Sequence, residues 1–132
     1  MADAEVNQAY SDFIQTVPWD YYSTVTFRSS RRDPIAASQS VCRAMSTLGA
    51  TRVFLAVESH KSGFLHCHAL SRHTFNPGLR PQSAYRYLFK AFGRTTVEPI
   101  RELGQVSAYC AKYVTKGNDY QFWGYPEAWL LD

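Results

Sequence analysis

An α+β domain with a split βαβ order is the fold this sequence predicts. Three observations carry it. Stretches rich in aromatic and β-branched residues recur at 20–28, 51–59, 64–71 and 94–100. Stretches with the helical period stand after the first and after the third of them. Gly, Pro or Asp punctuates the changeovers.

Residues 4–17 place Val6, Tyr10, Phe13, Ile14 and Val17 at helical spacing, and Pro18 closes that helix. Asp20 to Arg28 alternates as a strand does. Arg28-Ser29-Ser30-Arg31-Arg32 is a basic loop. Asp33 then reads as an N-cap with Pro34 at the first helical position. Ile35, Val41, Ala44, Met45 and Leu48 supply the buried stripe, and Gly49 ends the helix. Thr51 to Ser59 and Phe64 to Ser71 read as strands joined by the turn His60-Lys61-Ser62-Gly63, hence as a hairpin. After the loop Asn76-Pro77-Gly78, Pro81 opens a helix with Tyr85, Leu88, Phe89 and Phe92 on one face, and Gly93 follows its end. Arg94 to Ile100 is a fourth strand. Pro99 cannot donate to a ladder, which puts that strand at a sheet edge. Leu103 to Lys116 is the last helix, capped by Gly117. The tail aromatics Tyr120, Phe122, Trp123, Tyr125 and Trp129 are expected to pack back as a lid.

Without the first and last helices the order is βαββαβ. This is the ferredoxin-like split-βαβ arrangement, a four-stranded antiparallel sheet with two helices on one face. An N-terminal helix and a C-terminal tyrosine-bearing helix are added to it. The whole of 1–132 is expected to be one domain with no room for a helicase.

The hydrophobic fraction is 45%, which suits a packed core and excludes a disordered tail. Net charge is +3, a balance that permits a nucleic-acid partner without requiring one. Cys42, Cys67 and Cys110 form no CxxC pair and are odd in number, so a disulfide framework or a cysteine zinc site is not expected. A reducing, cytoplasmic location fits. The first residues show no signal-peptide pattern, and no apolar run reaches membrane-span length, so no membrane partner is expected.

The chemistry concentrates at His66-Cys67-His68. On a strand both imidazoles share one face while Cys67 points to the other. A hairpin turn of three residues would pair Glu58 with His66, giving two imidazoles and a carboxylate within reach of one cation. A slip of one residue would break this set. Mn²⁺, Mg²⁺ or Zn²⁺ suits such donors. His60, in the turn, is better placed to face solvent or substrate than to act as a ligand. On the last helix Tyr109 and Tyr113 lie four apart, with Lys112 and Lys116 each three residues after a tyrosine. A tyrosine hydroxyl attacks a phosphodiester only when the phosphorus is polarised and the phenolate favoured. A cation and a neighbouring ammonium meet those two needs.

The segments Trp19 to Phe27 (WDYYSTVTF), His66 to His68 (HCH) and Tyr109 to Lys116 (YCAKYVTK) resemble, in order, the three motifs of HUH endonucleases. These are the relaxases and rolling-circle replication initiators. The paired tyrosines are most similar to those of replication initiators of microviruses and related single-stranded DNA phages. The resemblance spans about residues 19–117. It implies that His66, His68 and Glu58 hold a catalytic Mn²⁺ or Mg²⁺. It implies that Tyr109 and Tyr113 are nucleophiles and that Lys112 and Lys116 assist the phosphate chemistry. The implied activity is site-specific nicking and rejoining of single-stranded DNA at a replication origin through a 5′-phosphotyrosine link.

DNA contacts are assigned to Arg28, Arg31, Arg32, His60 and Lys61. Arg72, Arg80, Arg86, Lys90, Arg94 and Arg101 read as scattered, mostly solvated residues. Tyr21 and Tyr22 could stack unpaired bases, though burial is the commoner fate of such residues. No Walker-type loop occurs, so unwinding must come from a host or phage helicase, with a polymerase to extend the 3′ end. The expected partner is single-stranded DNA or an origin hairpin, and the expected state in isolation is a monomer. A transposase of the same chemistry, a noncatalytic nucleic-acid-binding module and a facial-triad iron oxygenase are the alternative readings.

Overall fold

A computed structural model of the chain describes residues 2–28, 33–59, 64–114 and 119–124, with side chains described at 4–28, 33–58 and 64–114. The elements are α1 (Ala2–Ile14), β1 (Tyr21–Thr26), α2 (Pro34–Thr47), β2 (Arg52–Ser59), β3 (Leu65–Arg72), α3 (Pro81–Phe92), β4 (Thr95–Pro99), α4 (Leu103–Tyr109), a π-helical turn (Cys110–Val114) and β5 (Asp119–Gly124). The fold is α+β. Strands β4-β1-β3-β2 lie in the ferredoxin-like order and pair antiparallel, with β4 at the edge as Pro99 requires.

Local chemistry sets the helix ends. The Asp33 carboxylate accepts from the backbone N–H of Ile35 and Ala36, and Pro34 gives up no bond by standing in the first turn. Glu102 and Gln105 form a reciprocal capping box at the start of α4. Gly93 ends α3 at φ +124°, where a Cβ would press against the backbone of Arg28 and Thr26. Asp20 accepts from the Arg72 guanidinium at 3.1 Å and from the His73 N–H at 2.7 Å, tying the start of β1 to the end of β3.

The sheet is covered on both faces. Val25, Leu55, Val57, Cys67 and Ala69 pack against α2 and α3. Phe54, Ala56 and Leu70 pack against Ile14, Trp19, Val106, Tyr109 and Tyr113. The two faces of β3 differ, His66 and His68 on one and Leu65, Cys67 and Ala69 on the other, and this pins its register, because a one-residue slip would exchange the two sets.

Four elements differ from the sequence expectation. The segment 119–124, expected in a lid, is instead a fifth strand on the free edge of β2. An unpaired β2 edge would leave backbone donors and acceptors exposed, and β5 satisfies them. Helix α1 stops at Ile14, because the Trp19 indole N–H takes the Ile14 carbonyl and the Thr16 hydroxyl takes that of Phe13. Ile14 and Val17 are buried, while Val6, Tyr10 and Phe13 stay exposed. On α3 the buried stripe is Ala84, Leu88 and Phe92, and this turns Tyr85 and Phe89 outward. The last helix leaves α geometry at Cys110. The three cysteines are free and buried, and burial pushes the Cys42 thiol up to about 12 and that of Cys110 to about 11. Among the described residues no helix is long and apolar enough to cross a membrane.

His73 is a buried structural histidine. Its Nδ1 lies 3.2 Å from the Leu48 carbonyl, to which it donates, and its Nε2 lies 2.8 Å from the Ser71 hydroxyl. Burial lowers its pKa, and burial likewise lowers that of His68, to about 4. The unfolded chain therefore binds protons more readily than the folded one in mild acid. The stability from these residues is complete above their unfolded pKa of about 6.5 and is lost as pH falls below it. Urea unfolding should show a free energy that declines from about pH 6.5 towards pH 4, with a shallower decline in His73→Gln. An unchanged slope in that variant would remove His73 from the account.

Candidate active site

Cross-strand pairing builds the site. Glu58 pairs with His66 across the hairpin, as the three-residue turn predicts, and Ala56 pairs with His68. On the other side of β3, Thr26 pairs with His66 and Thr24 with His68. Tyr22, Thr26, Glu58, His66 and His68 therefore share the face that α4 and the π turn cover.

Each imidazole has its Nδ1 held by a hydroxyl on β1. Thr26 Oγ1 lies 3.0 Å from His66 Nδ1, and the Tyr22 hydroxyl lies 3.2 Å from His68 Nδ1. His68 Nε2 lies 3.2 Å from a Glu58 carboxylate oxygen. Burial outweighs the pull of that carboxylate and keeps His68 neutral at pH 7. The contact is thus between a neutral ring and a carboxylate and is not an ion pair.

The two tyrosines are held differently. Tyr109 is buried and donates its hydroxyl to the His68 carbonyl at 2.6 Å. Burial raises its pKa well above 10, so its phenolate is strongly disfavoured. Tyr113 stacks on His68, with ring centroids 4.1 Å apart and planes 23° apart. Its hydroxyl accepts from Tyr22 at 3.4 Å. The Lys112 ammonium stands 5.1 Å from its ring centroid, and its interaction with Tyr113 raises the pKa of Lys112. The rings of Tyr109 and Tyr113 are 5.0 Å apart. The π turn between them is of a kind that recurs at functional sites.

A cleft of about 250 Å³ opens beside this pair. Leu70, Tyr22 and Ile100 give it apolar walls, and Glu98 and Lys112 stand at it with opposite charges. Sequence reasoning offered Tyr22 only base stacking or burial and missed its polar contacts. Tyr22 is a bridge between His68 and Tyr113, and the signal for it was its even spacing with Thr24 and Thr26 along β1.

The proton arrangement bears on a cation. When Tyr22 donates to Tyr113, its oxygen must accept from His68 Nδ1–H. A neutral His68 then turns the Nε2 lone pair towards the Glu58 carboxylate, two electron-rich groups 3.2 Å apart. A cation between them relieves that repulsion. Without one, Nε2–H donates to Glu58 and the hydroxyl relay reverses. The donor types, and the Tyr22 and Thr26 hydroxyls that hold the two rings by Nδ1, fit a hard divalent ion. Among the described residues no group of three or more His, Cys, Asp or Glu side chains is placed to hold a metal ion. His66 lies on the same face as Glu58 and His68.

Of the DNA contacts expected from sequence, Arg28 lies away from this site. Its guanidinium donates to the carbonyls of Phe89 and Lys90 at the end of α3. Tyr21 points to the opposite face and donates to the Leu79 carbonyl at 2.6 Å, so it is not a base-stacking group. Arg31, Arg32, His60, Lys61 and Lys116 lie outside the described residues. A scan against protein-family models and a search of curated proteins each return no match.

The unequal anchoring of the tyrosines has a consequence for stability. Tyr109→Phe should cost about 1–3 kcal/mol, because it removes a buried hydrogen bond to a strand carbonyl. Tyr113→Phe should cost less, its hydroxyl contact being longer. Urea denaturation of both variants measures this, and equal losses would contradict the asymmetry.

Proposed function

We propose that this chain is a metal-dependent, site-specific single-stranded DNA endonuclease and strand transferase of the HUH type. In this reading it nicks a replication origin and later rejoins the strand, starting and ending rolling-circle replication. One observation carries the reading. The Tyr113 hydroxyl meets a hydroxyl–imidazole–carboxylate chain formed by Tyr22, His68 and Glu58, and the Lys112 ammonium stands 5.1 Å from the centroid of the Tyr113 ring.

Glu58, His66 and His68 would hold a divalent cation, Mn²⁺ or Mg²⁺. When bound, it supplies polarisation of a non-bridging phosphate oxygen. The chain's own residues do the rest. Tyr22 donates to the Tyr113 oxygen, and the Lys112 ammonium, 5.1 Å from the Tyr113 ring centroid, would offset negative charge that develops in the transition state. The Tyr113 oxygen attacks phosphorus, and the bond from phosphorus to the 3′ oxygen breaks. The products are a 5′-phosphotyrosine and a free 3′-hydroxyl. The proton from Tyr113 leaves to solvent and the 3′ oxygen gains one. The reverse attack rejoins strands with no external energy source.

Tyr109, held to the His68 carbonyl, serves as the second nucleophile only after that bond is released. A host or phage helicase and polymerase would act with the protein, in the cytoplasm of the host cell, the protein itself being a monomer. A transposase would use the same site. A noncatalytic nucleic-acid-binding module would keep the sheet but need no tyrosine hydroxyl joined to a hydroxyl–imidazole–carboxylate chain.

The test is incubation with end-labelled single-stranded oligonucleotides and Mn²⁺ or Mg²⁺, followed by a denaturing gel. A covalent band that requires the cation is expected. It should vanish in His66→Ala with His68→Ala, with folding checked by circular dichroism. Binding without any adduct across a randomised pool would favour the noncatalytic module and defeat the enzyme reading.

A further inference from the structure

The outer face of α3 combines features that the tyrosine site does not use. No Asp or Glu occurs between Glu58 and Glu98, so this helix has no carboxylate of its own. Arg80, Arg86, Lys90 and Arg94, on or flanking it, are all exposed. The buried stripe Ala84, Leu88, Phe92 sets the orientation, and Arg86 and Lys90 then stand furthest from the core. Tyr85 and Phe89 flank them on one side, 42% and 47% exposed, and Tyr87 on the other, 39% exposed. The Tyr85 and Phe89 rings are 5.8 Å apart and nearly parallel, at 25°.

Lys90 and Arg28 near the end of α3 complement its C-terminal carbonyls, and that accounts for their placement. It does not account for Arg86, or for aromatic rings held side by side in water. Large exposed apolar groups gathered on one helix mark contact surfaces. Cations interleaved with a stacked aromatic pair fit a ligand with both phosphates and open base faces. Unpaired bases offer those faces, whereas paired bases in a duplex are already stacked. Helix α3 packs beneath β4 and β1, and β4 is an edge strand. The α3 face and the cleft beside Tyr113 therefore lie on opposite sheet faces and meet around a single edge.

We propose that the outer face of α3 is a binding surface for single-stranded nucleic acid. Arg86 and Lys90, with Arg80 and Arg94 at the flanks, hold phosphates, and Tyr85 and Phe89 stack two neighbouring bases. The surface works without the tyrosine chemistry.

Fluorescence anisotropy with a labelled oligothymidylate of roughly 20 nucleotides, in chelator, tests it. Tyr85→Ala with Phe89→Ala should weaken binding at least about tenfold. Arg86→Ala with Lys90→Ala should make the plot of log affinity against log salt shallower by roughly 1.4. Arg86→Ala alone should weaken binding more than Arg43→Ala, which removes the same charge from exposed α2. Binding measured in chelator needs neither the cation nor a covalent link, so failure of the nicking reaction leaves this result standing. Thermal melts confirm that these surface variants fold. Equal losses from Arg86→Ala and Arg43→Ala would reduce the effect to net charge and overturn the proposal. So would no loss from the aromatic pair, or equally tight binding of duplex. If the variants lose binding to polyglutamate but not to oligothymidylate, the surface takes an acidic protein, and the proposal fails.

Discussion

The pairing of Glu58 with His66 across the β2–β3 hairpin is the constraint on which the candidate site depends. It sends Glu58, His66 and His68 to one face and Leu65, Cys67 and Ala69 to the other. Neither set tolerates exchange. The second set fills the core beneath α2 and α3, where Cys67 and Ala69 are almost wholly buried. The first set meets Tyr22 and Thr26 on β1, whose hydroxyls hold the two imidazoles by Nδ1. A slip of one residue would bury an ionisable triad among aliphatic side chains, a cost of several kcal/mol. Packing on one face thus enforces chemistry on the other.

The helix above this face differentiates its two tyrosines. Both belong to the second core, and Tyr109 has its hydroxyl committed to a strand carbonyl. Tyr113 lies flat on His68 with its hydroxyl among polar groups. The change from α to π geometry falls between them, at Cys110. Both line the cleft, but only Tyr109 has its hydroxyl bonded to a strand carbonyl. A pair spaced four apart on an ideal helix would have been nearly equivalent.

Much of this was legible in the residues. The alternation at 20–28, 51–59, 64–71 and 94–100 located the four strands, and Pro99 located the edge. The three-residue turn predicted the hairpin register, because turn length sets strand pairing and the two unlike faces of the hairpin do not tolerate a slip. Asp33-Pro34 and Gly93 marked helix ends by local chemistry that distant contacts rarely override. What was not legible depended on tertiary choices. The fifth strand exists because β2 has an open edge, which no property of residues 119–124 announces. Tyr85 and Phe89 share a sequence period with Leu88 and Phe92, yet the helix buries Ala84 in their stead. The role of Tyr22 needed two partners, from β3 and from the π turn, that a sequence does not place side by side. Arg28 was read by its neighbours in the chain and is claimed instead by the carbonyls of α3.

The most direct test of the central claim is the identity of the residue that carries the DNA. After a single turnover on a labelled single-stranded substrate, the covalent product can be digested with trypsin and the linked peptide identified by mass spectrometry. Trypsin cuts after Lys112 and separates the two tyrosines. The geometry predicts the nucleotide on Tyr113. A first-turnover link on Tyr109, or on a residue other than tyrosine, would contradict the account.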